Sequence, residues 1–193
     1  MTAATPTLIY IHGFQSSPLS QKAVETADYL QGNRPDIRLL VPELPDYPLP
    51  AIMLLEQIIA GCDGPVGLIG SSLGGFYATY LADKYNLKAV LINPAVAPHV
   101  LISDYLGKNV NPYTGNVYYL THDHLSHFER LHEAELQHPE NCWLMVQRGD
   151  ETLDYRLATA KYCDSPQLIE PGGDHRFQGY QQKMPEILRF LTL

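Results

Sequence analysis

Short, continuously apolar runs alternate along this chain with stretches in which apolar residues recur every three or four positions. Residues 7–12, 39–44, 66–70, 89–92 and 143–146 form five such runs rich in β-formers. Residues 167–170 form a weaker sixth, closed by Pro171-Gly172-Gly173. Most are apolar throughout rather than in alternate positions, as expected of strands covered on both faces of a parallel sheet.

The intervening stretches carry helical spacing. Ser17-Pro18 offers an N-cap followed by proline at the first helical position, with Leu19, Ala23, Ala27 and Leu30 at helical intervals and Gly32 as the stop. Pro50 opens a second helix, with Ile52, Leu55 and Ile59 on one face and Gly61 at its end. Leu73, Phe76, Tyr77, Tyr80 and Leu81 mark a third. Leu153, Leu157 and Ala160 mark another, and Met184, Ile187, Leu188 and Leu191 the last. Strand–helix alternation of this kind predicts an α/β fold. It has a mostly parallel sheet of about six strands, helices on both faces and right-handed crossovers. Functional groups in such sheets gather at the carboxyl ends of the strands.

Residues 95–141 break the alternation. The segment shows no clear strand, holds Pro98, Pro112 and Pro139, and carries many tyrosines and most of the histidines. A connection this long within a compact fold is usually functional or has its own helices. It is expected to be a partly helical cap inserted into a single domain spanning 1–193.

Composition narrows the possibilities further. The chain has 193 residues and a net charge of −8 without a basic cluster, which disfavours nucleic acid and anionic membrane surfaces as partners. No stretch approaches the ~18 apolar residues of a membrane span. The opening Met1-Thr2-Ala3-Ala4-Thr5-Pro6 has no basic flank or apolar core of a secretory signal, so a cytoplasmic location is expected. Cys62, Cys142 and Cys163 are odd in number and follow no metal or redox spacing, and read as reduced thiols.

The most specific chemical signal is Gly70-Ser71-Ser72-Leu73-Gly74, a G-x-S-x-G placed between the apolar run 66–70 and the helical pattern from Leu73. A sharp strand-to-helix turn at that place exposes the Ser72 hydroxyl in strained backbone geometry, and flanking glycines relieve the crowding. The helix N-terminus favours developing negative charge, and the Leu73 amide is a candidate oxyanion donor. The glycines do not fit a dinucleotide-binding G-x-G-x-x-G, and there is no phosphate-binding P-loop.

A serine nucleophile needs a base held by a third group. Folds built around such an elbow order these as serine, acid, histidine. His175 follows the sixth run within Gly172-Gly173-Asp174-His175 and is the expected base. Asp150, in Gln147-Arg148-Gly149-Asp150 after the fifth run, is the expected acid, with Glu151 and Asp154 as competitors; Asp154 belongs more naturally to the next helix. The loop after the first run, His12-Gly13-Phe14-Gln15, offers the Phe14 amide as a second oxyanion donor. His12 there is either a loop-orienting or a purely structural histidine. His122, His124, His127 and His132 match no standard metal-ligand pattern, so no metal and no cofactor is expected. Tyr105, Tyr113, Tyr118, Tyr119 and Phe128 read equally as the lining of an acyl pocket or as the core of the cap.

Several motifs together resemble the YqiA-like esterases, small bacterial α/β-hydrolases. These are His12-Gly13-Phe14-Gln15-Ser16-Ser17-Pro18, Gly70-Ser71-Ser72-Leu73-Gly74-Gly75, Asn93-Pro94-Ala95, Asn111-Pro112-Tyr113-Thr114-Gly115 and Gly149-Asp150-Glu151, in order along nearly the whole chain. The resemblance implies a compact α/β-hydrolase fold lacking the antiparallel strands that usually precede the first parallel one. It also implies a cytosolic esterase with Ser72, Asp150 and His175 as its triad, acting on small-molecule acyl esters and including acyl-CoA thioesters. An acyltransferase using the same acyl-serine, or a non-catalytic binding module on the fold, would be the alternatives. Acyl chain, leaving group and oligomeric state are not legible.

Overall fold

A computed structural model describes residues 4–193; the first three residues of the N-terminal stretch considered above lie outside the described residues. Strand β1 (Thr7–Ile11) lies between β2 (Arg38–Leu40) and β3 (Val66–Ser71). Strands β4 (Lys88–Ile92), β7 (Cys142–Gln147) and β8 (Gln167–Glu170) follow outward, giving the order β2-β1-β3-β4-β7-β8 with every pairing parallel. The expected α/β-hydrolase sheet is therefore present.

Alternate residues of these apolar strands feed two cores, which is why the runs need no polar face. Ile9, Ile11, Leu68, Leu91, Leu144 and Val146 point to one side. There they meet helices α2 (Pro48–Ala60), α3 (Leu73–Tyr85) and α6 (Tyr155–Lys161). Leu8, Tyr10, Ile69, Val90, Ile92 and Met145 point to the other side, against α1 (Gln21–Asn33) and α7 (Met184–Leu191). The four apolar residues expected on the last helix, Met184, Ile187, Leu188 and Leu191, are all buried. Burying each such side chain contributes roughly 1.5–3 kcal/mol.

Several sequence-based boundaries shift. Helix α1 begins at Gln21 rather than at Pro18, because Ser17 closes a turn instead. The Ser17 hydroxyl accepts from the Leu19 amide at 3.1 Å and the Ser17 carbonyl accepts from the Ser20 amide at 3.0 Å, leaving Leu19 exposed. Gly32 lies within α1 and does not end it. Helix α2 starts at Pro48, two residues before Pro50. The run 39–44 yields only the three-residue edge strand β2, before a proline-containing segment. Asp154 caps α6 by accepting from the Arg156 amide at 3.0 Å, while Leu157 is exposed.

The segment 95–141 corrects the expectation most. It contains helix α4 (Pro98–Leu101), a turn of 3₁₀-helix (Ile102–Tyr105) and helix α5 (His122–Arg130). It also holds an antiparallel hairpin of β5 (Gly107–Val110) and β6 (Val117–Leu120) that the sequence pattern did not reveal. Each strand is only four residues long, and only β6 alternates cleanly, with Tyr118 and Leu120 buried and Val117 and Tyr119 exposed. The turn between them is preformed. The Asn111 side-chain oxygen accepts from the amides of Tyr113 (3.0 Å) and Thr114 (3.3 Å), and Gly115 adopts a φ of +74°. The end of the segment is tied to α3 by the Asp83 carboxylate, which accepts from the amides of Gln137 (2.7 Å) and His138 (3.1 Å).

Candidate active site

Ser72 stands between β3 and α3 with φ +55° and ψ −121°, a conformation that L-residues avoid. Neighbouring backbone holds it there. Its amide donates to the Ile92 carbonyl (3.0 Å), and its carbonyl accepts from the amides of Gly75 (2.9 Å) and Ala95 (3.0 Å). The two glycines of the motif are required for different reasons. A Cβ at Gly70 would lie 2.3 Å from the Gly74 carbonyl oxygen, whereas a Cβ at Gly74 would lie 2.0 Å from the Ile11 carbonyl oxygen of β1. Crowding with the neighbouring strand, rather than between the two glycine positions alone, excludes a side chain at Gly74.

His175 lies on the loop after β8, and its Nε2 is 3.2 Å from the Ser72 hydroxyl. Its Nδ1 is 2.8 Å and 3.0 Å from the two carboxylate oxygens of Asp150, beyond the end of β7. A carboxylate at Nδ1 keeps the proton on that nitrogen and leaves Nε2 as the acceptor for the serine proton. The Asp150 side chain is 2% exposed. Burial alone would raise its pKa, but hydrogen bonding from His175 and from the amides of Leu153 and Thr152 holds the carboxyl below its usual range. The two competitors have other partners. Glu151 accepts from the His175 backbone amide at 3.0 Å, and Asp154 pairs with Arg156 at 2.7 Å.

Gly13 passes directly over the serine, where a Cβ would lie 3.2 Å from that of Ser72. Phe14 and Leu73 border one cleft together with Ser72 and His175. Leu73 is the first residue of α3, so its amide has no acceptor within the helix. The Phe14 amide has no acceptor among the described residues. Both are therefore free to donate to a substrate oxygen. His12 both orients this loop and serves structurally. Its Nε2 accepts from the Leu44 amide (3.3 Å), which puts the Nδ1 proton on the Gly13 carbonyl (3.0 Å), and burial lowers its pKa so that it stays neutral.

Two residues in the site were not anticipated from sequence. Asn93, at the end of β4 with φ +40°, donates from its side chain to the carbonyls of Asp174 (3.0 Å) and His175 (3.2 Å). Its side-chain oxygen accepts from the Gln147 amide (3.1 Å). The Gln147 side chain accepts from the Asp174 (3.3 Å) and Gln178 (2.8 Å) amides and donates to Glu170 (2.9 Å) and the Gln178 carbonyl (2.8 Å). These two buried amides clamp the loop that carries His175 to the strand that leads to Asp150. Asn93 stood out only as part of the Asn93-Pro94-Ala95 resemblance; the signal common to both was polarity, an Asn and a Gln ending otherwise apolar runs, where a buried amide must find partners.

The aromatic residues of 95–141 divide. Tyr105 borders the cleft of about 430 Å³ beside Ser72, with Pro98, Leu101, Ile102 and Leu153. Phe128 packs against Phe76 and Tyr77 as core, Tyr118 is buried and receives a hydrogen bond from Gln15 (3.1 Å), and Tyr119 is exposed. Tyr113 borders a second cleft, which Ser72 and His175 also line. Of the histidines, His124 closes the N-terminal turn of α5 with Thr121 (3.0 Å) and stacks on Tyr47, while His132 lies edge-on to His99. Among the described residues no three metal-ligating side chains gather into one group, and no helix is long and apolar enough to cross a membrane.

The model of an uncharacterised protein family, UPF0227, matches residues 7–192, and the chain belongs to this YqiA-like family. Solved structures with the same fold include the mouse alpha/beta hydrolase domain-containing protein 10. It is similar at 16% identity with a TM-score of 0.76, over 100% of this chain and 91% of that one. The esterase Est1E from Butyrivibrio proteoclasticus, solved with ferulic acid bound, is similar at 15% identity and a TM-score of 0.71, over 97% and 88%. The esterase domain of a Rhodothermus marinus protein is similar at 16% identity and a TM-score of 0.67, over 99% and 87%. At these identities the likeness establishes the α/β-hydrolase fold.

Proposed function

We propose that this member of the UPF0227 family is a serine hydrolase that cleaves acyl esters through an acyl-enzyme on Ser72. The observation that carries this is the continuous chain Ser72 Oγ–His175 Nε2 (3.2 Å) and His175 Nδ1–Asp150 (2.8 Å) at the carboxyl edge of the sheet. His175 takes the serine proton as Ser72 attacks the carbonyl, and Asp150 stabilises the imidazolium that forms. The amides of Phe14 and Leu73 receive the oxyanion. His175 then protonates the departing alcohol or thiol, and a water deprotonated by the same histidine releases the acid. None of these steps calls on a cofactor or a metal. The segment 95–141 acts as the cap, with Leu101, Ile102 and Tyr105 against the apolar arm of the ester. Oxygen esters and acyl thioesters both fit this chemistry. The net charge of −8 disfavours nucleic acid and anionic membranes as partners, which supports a small-molecule substrate met in the cytoplasm.

Labelling with a fluorophosphonate followed by peptide mapping tests the assignment, because the probe reacts with serines activated by a neighbouring base. One adduct on Ser72, absent from a folded His175→Ala protein, is expected, together with a loss on the order of 10⁶-fold in kcat for Ser72→Ala. Ester hydrolysis at a normal rate by folded Ser72→Ala would overturn the proposal. Transfer of the acyl group to added alcohol in preference to water would turn it into an acyltransferase.

A further inference from the structure

Ser72 is bordered by two clefts of opposite character. On the 95–141 side the walls are Ala95, Pro98, Leu101, Ile102 and Tyr105, apolar except for Asp104 at the same cleft. On the α1 side a cleft of about 350 Å³ is bordered, besides Ser72 and His175, by Gln15, Ser20, Gln21, Lys22, Tyr113 and Arg176. No carboxylate borders it among the described residues, although the protein as a whole carries a net charge of −8. Two cationic residues therefore border the same cleft as Ser72 in a molecule of net negative charge.

Lys22 is the more informative of them. Its ammonium donates to the Arg176 carbonyl (2.9 Å) and is in no ion pair among the described residues. Two of its three donors are therefore unspent. Burial pulls its pKa down to about 8, against the pull of Glu25, Asp174 and Asp150 and with the help of Arg176. These carboxylates act from beyond ion-pair distance, and a cation taken partly out of water with no carboxylate in direct contact gains from an anion that completes it. The first turn of the 13-residue α1 adds to the same field. It contains no acidic residue, and its N-cap Ser20 makes no capping hydrogen bond, so the amides around Gln21 and Lys22 remain available beside the cleft.

We propose that the cleft between α1 and Ser72 is a subsite for an anionic group, carboxylate or phosphate, carried by one arm of the ester, with Lys22 as its main partner and Arg176 assisting. The other arm, a hydrocarbon, lies along Leu101, Ile102 and Tyr105. The substrate class is thus an ester that is apolar on one side of its carbonyl and anionic on the other. This rests on the hydrolase function proposed above and specifies what that site selects.

The test is a comparison of matched esters with the intact protein. In one pair the anion is on the leaving group: the hexanoate esters of 4-hydroxyphenylacetate and of 4-hydroxyphenylacetamide, whose phenols are electronically alike. In the other pair it is on the acyl group: hexyl hemisuccinate and the hexyl ester of succinamic acid. A preference for the charged member of about ten-fold or more in kcat/KM is expected in one of the two pairs, and the pair identifies the arm that carries the anion. That ratio should fall towards one in Lys22→Met, mostly through KM, should fall by a smaller factor in Arg176→Gln, and should shrink as salt is raised to about 0.5 M. The rate of fluorophosphonate labelling at Ser72 in each variant reports whether the site is still assembled. Equal turnover within both pairs, or a preference that survives Lys22→Met, overturns the subsite while leaving the hydrolase in place. No turnover of any of the four esters by protein that labels at Ser72 also overturns the subsite. Absence of both turnover and labelling overturns the two proposals together.

Discussion

The carboxyl edge of the sheet and the 95–141 segment both border Ser72, but they are held in different ways. At the sheet edge every participating group is fixed from several sides. Ser72 is bonded through its backbone to Ile92, Gly75 and Ala95, Asp150 accepts from two amides besides His175, and the His175 loop is clamped by Asn93, Gln147 and Glu151. Apart from the nine-residue α5, the 95–141 segment is assembled from short pieces: a helix of four residues, a 3₁₀ turn and two strands of four residues. Val100, Val110, Val117 and Tyr119 on it are exposed. Chemistry requires positions held to a fraction of an ångström, which an over-determined scaffold supplies. Selection of a chain requires only a shaped apolar wall, which short, locally hydrogen-bonded pieces can vary at little cost to the fold.

The contrast can be broken most severely at the acid. Asp150→Asn keeps the size of the group but favours the wrong imidazole tautomer, and kcat is expected to fall on the order of 10⁴-fold with far-ultraviolet dichroism unchanged. The same variant should alter acid stability. The folded pKa of Asp150 lies below its ordinary value of 3.8, so its stabilising contribution is present above that pH and is lost as pH falls through the depressed value. Urea titrations between pH 5 and pH 2 should therefore show a smaller acid-side loss for Asp150→Asn than for the parent. An equal loss would mean that the carboxylate is not stabilised as described.

Asn93→Ala probes the clamp rather than the chemistry. It leaves the Gln147 amide and two loop carbonyls without their partners, at an expected cost of about 1–3 kcal/mol in urea unfolding. Fluorophosphonate labelling of the folded variant should slow as well, because the loop no longer fixes His175. A stability loss with an unaltered labelling rate would show that Asn93 supports the fold alone.

Tyr105→Ala gives the smallest expected effect and tests the other region. Tyr105 is 45% exposed, so stability should change by less than about 1 kcal/mol. The ratio of kcat/KM for a hexanoate over an acetate ester should fall roughly five-fold, because part of the apolar wall is gone. An unaltered ratio would remove Tyr105 from selection of the acyl chain.

The amino-acid sequence by itself determined the sheet and singled out the groups proposed to react. Both depend on local pattern: apolar runs of strand length, a glycine-flanked serine between a strand and a helix, and Asp150 and His175 just past the ends of runs. Tertiary structure decided what depends on distant partners. The 39–44 run was cut to a three-residue strand because it lies at the sheet edge, with only β1 to pair with. The hairpin of 95–141 was hidden because its strands are shorter than the periodicity needed to detect them, and its turn is set by the Asn111 side chain. Asp150 was separated from Glu151 and Asp154 only by where β7 and β8 deliver their ends. Asn93, Gln147 and Lys22 gained their places from residues 23 to 154 positions away, contacts that no local pattern records.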